Sequence, residues 1–244
     1  MEVAARAGLS VEYLTRIEQG RDRNPSPSVV NAIADALNLQ PADRRHLVYL
    51  TKISGGACAS HRDPEPPVRE VRESALRMLQ LLEPGVAMIT NRLGDVLAHT
   101  SAFAGLMADT GLLDGDEPNL TRFVFVDPRA RQVFADWDQV ADEQAFDLWM
   151  GPSAAAVEWF TADLAPVAGP ALTERYGSPV PPARSALVLD HPRLGRLRLT
   201  RERLEISESD EQQVVVLLAE DAATEQALAA LVRDEGARPG LRAV

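Results

Sequence analysis

Two charged side chains on one predicted helix have the chemistry to read DNA bases. Arg16 carries forked donors that match the two major-groove acceptors of guanine, and Glu12 can accept a hydrogen bond from a cytosine amino group. Both lie between Ser10, a residue type that caps helices, and Gly20, a type that ends them. The alternative is that Arg16 is solvated and that Glu12 only complements the helix dipole. The hypothesis is that the outer face of this helix enters a major groove.

The spacing of small and apolar residues around Gly8 predicts the helix-turn-helix that would position this surface. Ala4 lies four residues before the glycine, and Leu14 and Ile17 lie six and nine residues after it. The motif needs a small residue, then one able to take a left-handed turn, then apolar residues at these offsets. Leu14 and Ile17 therefore face inward. The candidate DNA-binding residues are Arg6, Ser10, Val11, Glu12, Tyr13, Thr15, Arg16, Gln19, Arg21, Arg23 and Ser28.

The phosphate contacts are expected from the same N-terminal region. Arg6, Arg21, Arg23 and the N-terminus of a helix predicted from about Ser28 are placed for phosphates, which fix register and supply salt-dependent affinity. The whole chain carries a net charge of −11, but residues 1–60 hold seven basic and six acidic side chains. The acidic remainder repels phosphate, so DNA contacts are confined to the N-terminal unit.

That unit, residues 1–52, has apolar residues at helical spacing between clear breakers and is predicted to be an all-helical bundle. Counted from Gly8, its first helix should begin at or before Met1, so we expect that helix to be truncated. Residues 53–67 combine Gly, Ser and Pro without apolar periodicity and are predicted to be an interdomain linker.

The second unit, residues 68–232, mixes helical and strand patterns. Helical spacing over 68–82 is followed by strand patterns at Val86–Thr90 and Val96–His99, a short helix from Ser101 to Met107 and a mostly helical middle from Leu120 to Leu164. We expect an α+β fold in which helices flank an antiparallel sheet. The later predicted elements are strands at Ala186–Leu189, Gly195–Leu199, Leu204–Ser207 and Val214–Ala219, a helix at Thr224–Val232 and a flexible tail at 233–244.

Several function classes find no support in the residues. Cys58 is the only cysteine and the four histidines are isolated, so neither a disulfide framework nor a metal site is predicted. No nucleophile elbow, phosphate loop or convincing carboxylate pair indicates an enzyme. The carboxylates Asp136, Asp138, Asp142 and Glu143 are expected to form one solvated helical patch. The chain shows no secretory signal and no membrane-spanning run, so a cytoplasmic location is expected.

Longer stretches resemble a known family of regulators. LSVEYLTRIEQGRDRNPSPSVVNAIADALNL is similar to the lambda-repressor or Cro (XRE-type) helix-turn-helix. FVFVDPRARQVFADWDQVA, LDHPRLGRLRLTRERLEIS and DEQQVVVLLAEDAATEQALAAL resemble blocks of the MmyB-like ligand-binding domain that accompanies this module. The resemblance covers roughly residues 2–52 and 68–232. The matching positions are Asp127, Pro128, Arg129, Arg131, Trp137, His191, Pro192 and Gly195, with Asn119 matching in part.

The resemblance implies a PAS-like sensor domain whose interior can hold a fatty acid or a similar apolar molecule, with no other cofactor. The chain departs from the family pattern at Pro118, where arginine is usual, and at His99 and Thr100, where tryptophan and asparagine are usual. The candidate ligand-binding residues are Asn119, Arg122, Phe123, Phe125, Phe134, Trp137 and Trp149.

Each of these candidates also has a plainer interpretation. Aromatic residues at helical spacing commonly form a simple core, and Arg122 is either an anchor for a carboxylate beside Asn119 or a solvated, helix-pairing arginine. Two function classes therefore remain. In the first, a homodimer binds duplex DNA under the control of an apolar effector; in the second, the body serves only dimerisation or protein interaction.

Overall fold

The computed structural model describes residues 2–22, 25–40, 43–44, 47, 50, 69–149, 154–180, 186–206, 212–235 and 242–243. It divides the chain into two units, residues 1–63 and 64–244, here called the head and the body. The predicted linker at 53–67 and the candidate residue Arg23 lie outside the described residues.

Among its described residues the head contains helices α1 (Glu2–Arg6), α2 (Val11–Glu18) and α3 (Pro27–Ala36). Ala4, Leu14 and Ile33 form its buried core, one from each helix. The inward orientation predicted for Leu14 and Ile17 is confirmed, because both belong to this apolar cluster. The partly buried residues around the core are Val3, Ala7, Leu9, Ile17, Val29 and Leu47.

Local signals set the bounds of these helices. Gly8 takes φ +66° after α1, and the N–H of Leu9 donates to the carbonyl of Ala4 over 2.9 Å. The hydroxyl of Ser10 caps α2 by accepting from the N–H of Tyr13 at 3.1 Å. Ser26 caps α3, so this helix begins at Pro27, one residue before the predicted start. A proline at the first helical position needs no hydrogen-bond partner for its nitrogen.

The body contains an antiparallel sheet in the spatial order β3-β4-β5-β1-β2-β6. Four of the predicted strands, those at Val86, Val96, Ala186 and Val214, form within two residues of their predicted bounds. A further two-residue strand lies in the part of the chain predicted to be a flexible tail, and it pairs with the second strand. The strands are β1 (Val86–Thr90), β2 (Val96–His99), β3 (Ala186–His191), β4 (Gly195–Glu205), β5 (Gln213–Ala219) and β6 (Arg242–Ala243).

The prediction of two separate strands between Gly195 and Ser207 is wrong. Strand β4 runs unbroken through Thr200–Arg203, a charged stretch that lacks the apolar residues by which the strands were predicted. Arg201 and Arg203 point to the same side as the buried Leu197 and Leu199, in keeping with the two-residue period of a strand. Their inward charges are tolerated because carboxylates on a facing helix pair with them.

Eight helices of the body lie among the described residues. The helix predicted over 68–82 begins only at Glu73, the predicted helical middle is divided into shorter pieces, and the last helix continues three residues beyond Val232. They are α4 (Glu73–Leu81), α5 (Ser101–Met107), α6 (Leu120–Val126), α7 (Ala130–Val133), α8 (Trp137–Trp149), α9 (Ala154–Ala168), α10 (Pro170–Gly177) and α11 (Ala222–Glu235).

Strands β1 and β2 are buried on both faces of the sheet, whereas β4 buries side chains mainly on one face, since successive side chains of a strand alternate between the faces. On one face, Met88 of β1 and Leu217 of β5 join a large core with residues of α5–α11. On the other face, Ala87 and Ile89 pack against Leu79 of α4. In the part of the chain that the structure describes, none of the helices has the length and apolar character needed to span a lipid bilayer.

Candidate functional site

The outer face of α2 presents most of the predicted base-reading side chains to solvent. Glu12, Arg16 and Gln19 are exposed, and Val11 is about half exposed at 46%. Tyr13 and Thr15 are half-buried, and the Thr15 hydroxyl donates to the carbonyl of Val11 at 2.9 Å. The candidate surface is therefore a polar, accessible helix face whose opposite side holds the head together.

The predicted phosphate-contacting residues stand at helix ends around this face. Arg6 is the last residue of α1, and Arg21 follows the turn that ends α2; both side chains are exposed. Ser28 lies in the first turn of α3, with its hydroxyl 2.8 Å from that of Ser26. Exposed arginines and a helix N-terminus are groups that bind phosphate in DNA-binding proteins.

A residue absent from the sequence-based candidates stands beside Arg16. The carboxylate of Asp22 lies with its Oδ2 atom 3.6 Å from Nη2 of Arg16. The backbone brings them together, because the N–H of Asp22 donates to the carbonyl of Arg16 at 3.1 Å. The one sequence signal for this contact is Gly20. Its φ of +65° reverses the chain and returns residue 22 to the end of the helix.

In the body, Asn119 is a structural cap. Its Oδ1 accepts from the N–H of Arg122 at 2.7 Å, and its Nδ2 donates to the carbonyl of Leu93 and to Oδ1 of Asp95, both at 3.0 Å. Asp95 also accepts from Arg69 at 3.0 Å. This buried network therefore ties the start of α6 to the β1–β2 turn and to the first described residues of the body.

The guanidinium group of Arg122 is exposed and pairs with Asp163 of α9 at 2.6 Å. It also lies 5.8 Å from the ring centre of Phe160. These contacts match the helix-pairing interpretation of Arg122. In this conformation its guanidinium group binds side chains of α9.

Four of the five aromatic candidates, Phe123, Phe125, Phe134 and Trp137, are buried and pack in pairs. Phe123 and Phe134 meet edge to face at 6.1 Å, as do Phe125 and Trp137 at 6.2 Å. Trp149 is half-buried at the end of α8. The structure therefore brings the first four into one core and places Trp149 outside these pairs.

Trp137 is held on several sides at once. Its Nε1 donates to the carbonyl of Val124 at 2.9 Å, which satisfies the only polar atom of the ring. The guanidinium of Arg131 lies 3.5 Å from the ring centre, and that of Arg175 lies 5.2 Å from it. The tryptophan thus joins α6, α8 and α10.

The interpretation of Asp136, Asp138, Asp142 and Glu143 as one solvated patch is wrong for the last of them. Glu143 is 1% exposed and pairs with Arg201 of β4 through contacts of 2.5 and 2.7 Å. Asp138 and Asp142 remain on the surface but both bind Arg175. The sequence hides this arrangement because the partners of Glu143 lie far away along the chain.

His191 occupies the β3–β4 turn and is almost fully buried. Its Nε2 donates to the carbonyl of Leu106 at 2.8 Å, and its Nδ1 accepts from the N–H groups of Arg193 and Leu194 at 3.1 Å. These bonds require the neutral ring with its proton on Nε2. Burial lowers the pKa of His191 below its usual value, so the neutral ring is favoured in this turn.

Asp127 and Arg129, two of the motif residues, lock a surface loop. Arg129 donates from both its backbone and its side chain to Asp127 and reaches Asp114 at 2.8 Å. The hydrogen bond from the Arg129 side chain lowers the pKa of Asp127. The guanidinium passes directly over Gly111, where a Cβ atom would lie 2.1 Å from Cζ of Arg129.

Within the described residues, no group of three or more His, Cys, Asp or Glu side chains could hold a metal ion. The contacts seen at the candidate residues are those of a protein core and of an exposed helix face.

Two family models match the chain. The MmyB-like transcription regulator ligand binding domain matches residues 71–231, and a helix-turn-helix domain matches residues 1–47. No curated protein is similar enough to count as a match. The first match spans α4 and the whole of strands β1–β5, and the second spans α1–α3.

Proposed function

The chain belongs to the MmyB-like transcription regulators and carries a helix-turn-helix domain ahead of its ligand-binding domain, and from this premise we propose that it is a one-component regulator. The outer face of α2 reads an operator in duplex DNA. An apolar molecule bound in the body changes the affinity of that contact.

One observation carries the DNA-binding half of the proposal. Leu14 of α2 is buried against Ala4 and Ile33, whereas Arg16 and Glu12 of the same helix are exposed. A helix with this division can insert its polar face into a major groove without disturbing the core that supports it. The head is therefore suited to base reading.

The regulator acts on DNA as a homodimer. Two copies of a helix-turn-helix place their recognition helices about one helical turn of DNA apart, so that a palindromic operator mirrors the protein's two-fold symmetry. In this arrangement residues 1–52 form the DNA-binding unit, residues 68–232 the effector-binding unit and residues 53–67 the linker between them.

Selection from a randomised duplex library with the full-length chain at low salt tests the DNA-binding half. We expect an enriched palindromic sequence that is protected in footprinting. Failure to retain any duplex at low salt would contradict this half of the proposal, and so would retention of duplexes without enrichment of any sequence.

The effector-binding half rests on the family and on the composition of the body's core. The residues Phe123, Phe125, Phe134 and Trp137 lie in the apolar cluster between the sheet and its helices, the arrangement expected of a PAS-like sensor. Burying an acyl chain gains about 0.8 kcal/mol per methylene before ordering costs. A fatty acid of ordinary length therefore gains enough for micromolar affinity without a charged anchor.

A body that serves only dimerisation or protein interaction is the second candidate, and the contacts of Asn119 and Arg122 favour it. The side-chain oxygen of Asn119 accepts the hydrogen bond that caps α6, and Arg122 is paired with Asp163. Denaturing mass spectrometry of the purified chain separates the two functions. A co-purified lipid supports the sensor, whereas a lipid-free dimer without a thermal shift on adding fatty acids from decanoate to octadecanoate supports the dimerisation module.

A further inference from the structure

The end of α2 folds back so that an acidic residue stands beside the proposed base-reading arginine. After Gly20 reverses the chain, the N–H groups of Arg21 and Asp22 both donate to the carbonyl of Arg16, at 2.9 and 3.1 Å. These two hydrogen bonds to one carbonyl oxygen hold the backbone of Asp22 in place. Its carboxylate consequently lies 3.6 Å from the Arg16 guanidinium.

The contact differs from the other arginine–aspartate pair described in the head. Arg44 binds Asp35 at 2.5 Å, a full hydrogen bond that occupies a guanidinium donor. The Arg16–Asp22 distance exceeds hydrogen-bond range, and the Arg16 side chain is 55% exposed. Asp22 therefore attracts the guanidinium while leaving its donors available to another acceptor.

We propose that Asp22 is a positioning residue for base recognition: its carboxylate, held at the end of α2, restrains the Arg16 guanidinium so that two donors are presented together to guanine. The inference rests on the proposed function of α2 as the DNA-reading helix. A long arginine side chain samples many rotamers in water, and one fixed charge beside it favours those that a bidentate base contact needs.

The negative charge of Asp22 also has an unfavourable effect on DNA binding. A carboxylate near the DNA surface repels phosphates, so it lowers affinity for every sequence alike. Asp22 thus favours discrimination between bases at the expense of general affinity. Removing its charge should move these two quantities in opposite directions, which loss of a purely structural contact would not do.

The experiment measures binding of the full-length chain to a duplex enriched from a randomised library and to its single-base variants. The proteins are the wild type, Asp22→Asn, Arg16→Ala, the double variant and Asp35→Asn. Asp35→Asn is the matched control, because it removes the same charge and an arginine pair from the same unit. Thermal melting confirms that each variant is folded.

We expect the wild type to prefer guanine roughly tenfold at one position and Arg16→Ala to lose that preference. Asp22→Asn should reduce the preference about threefold or more at that position alone, while its affinity for unselected duplex rises. Asp35→Asn should keep the preference, and adding Asp22→Asn to Arg16→Ala should change it no further.

An Asp22→Asn protein with the wild-type base preference would overturn the inference, and so would an equal loss of preference at every position. If the wild type itself selects no sequence, it is the DNA-binding proposal that fails. The wild-type measurement therefore distinguishes the two failures.

Discussion

Glu143 of α8 and Arg201 of β4 form an ion pair that is almost completely buried, with Oε2 and Nη1 2.5 Å apart. Arg203 lies in the same row of β4 and binds Asp147, one helical turn after Glu143. Two acids on one helix thus meet two arginines on one strand. Because burial removes most water from Glu143, Arg201 and Asp147, these charges depend on their partners across the α8–β4 contact.

Breaking this pair should destabilise the body strongly. Glu143→Gln leaves the Arg201 charge buried without a counter-ion, and we expect the free energy of unfolding to fall by about 3 kcal/mol or more. Asp138→Asn is the control, since Asp138 is 76% exposed and pairs with Arg175 at the surface; it should cost less than about 1 kcal/mol. If urea titrations show that the two variants lose equal free energy of unfolding, this account of the buried pair is contradicted.

The pH dependence of stability should report His191. Burial lowers its pKa below the usual 6.5; the hydrogen bond to the Leu106 carbonyl and the charge of Asp109 oppose this shift, and the charge of Arg193 adds to it. The unfolded chain therefore takes up a proton that the folded chain does not, and the stability due to the neutral ring, present above about pH 6.5, is lost as the pH falls below that value.

The variant His191→Asn tests this dependence. Its side-chain oxygen can replace Nδ1 as the acceptor in the turn but does not titrate. It should be less stable than the wild type near neutral pH, with a smaller further loss between about pH 7 and about pH 5.5. The free energy of unfolding is measured by urea titration at each pH. If it falls equally in the two proteins over this range, His191 does not contribute to the pH dependence of stability.

The close approach of Arg129 to Gly111 predicts a difference between two glycine substitutions. Gly111 and Gly115 both have φ near +90°, so alanine is strained at either position, but a Cβ at Gly115 meets nothing within 4 Å. Gly111→Ala must also push the Arg129 guanidinium off Asp127 and Asp114. Its melting temperature should therefore fall further than that of Gly115→Ala, and identical melting temperatures would refute the contact.

The head could be predicted well from the sequence because its signals are local. The left-handed turn at Gly8, the cap at Ser10 and the inward Leu14 lie within seven residues of one another, so their spacing alone determines the geometry. Asp22 was missed because its role depends on a chain reversal that places its carboxylate beside Arg16, which no periodic pattern encodes.

The body was predicted in outline only, because its decisive contacts are distant in sequence. Arg201 falls in the gap between two predicted strands, because an inward charge fits a strand only when Glu143, on another element, is placed opposite it. For the same reason Glu143 was assigned to a solvated patch. Hydrophobic periodicity predicts where apolar strands lie, but it cannot predict which buried charges will find partners.

Arg21 is one of the residues expected to contact phosphate, so its removal should affect DNA binding differently from the removal of Arg16. Arg21→Ala should weaken binding to all duplexes alike and reduce the slope of log affinity against log salt by about 1, because one counterion release is lost. Anisotropy titrations at several salt concentrations measure both quantities. A change in base preference without a change in slope would assign Arg21 to base reading instead.

The regulator account is tested most directly by the affinity of the full-length, delipidated chain for its selected duplex with and without a saturating fatty acid. Fluorescence anisotropy at fixed salt gives both dissociation constants. Coupling between effector and operator predicts that they differ by about fivefold or more. Identical dissociation constants for a chain shown by mass spectrometry to have bound the fatty acid would contradict the account.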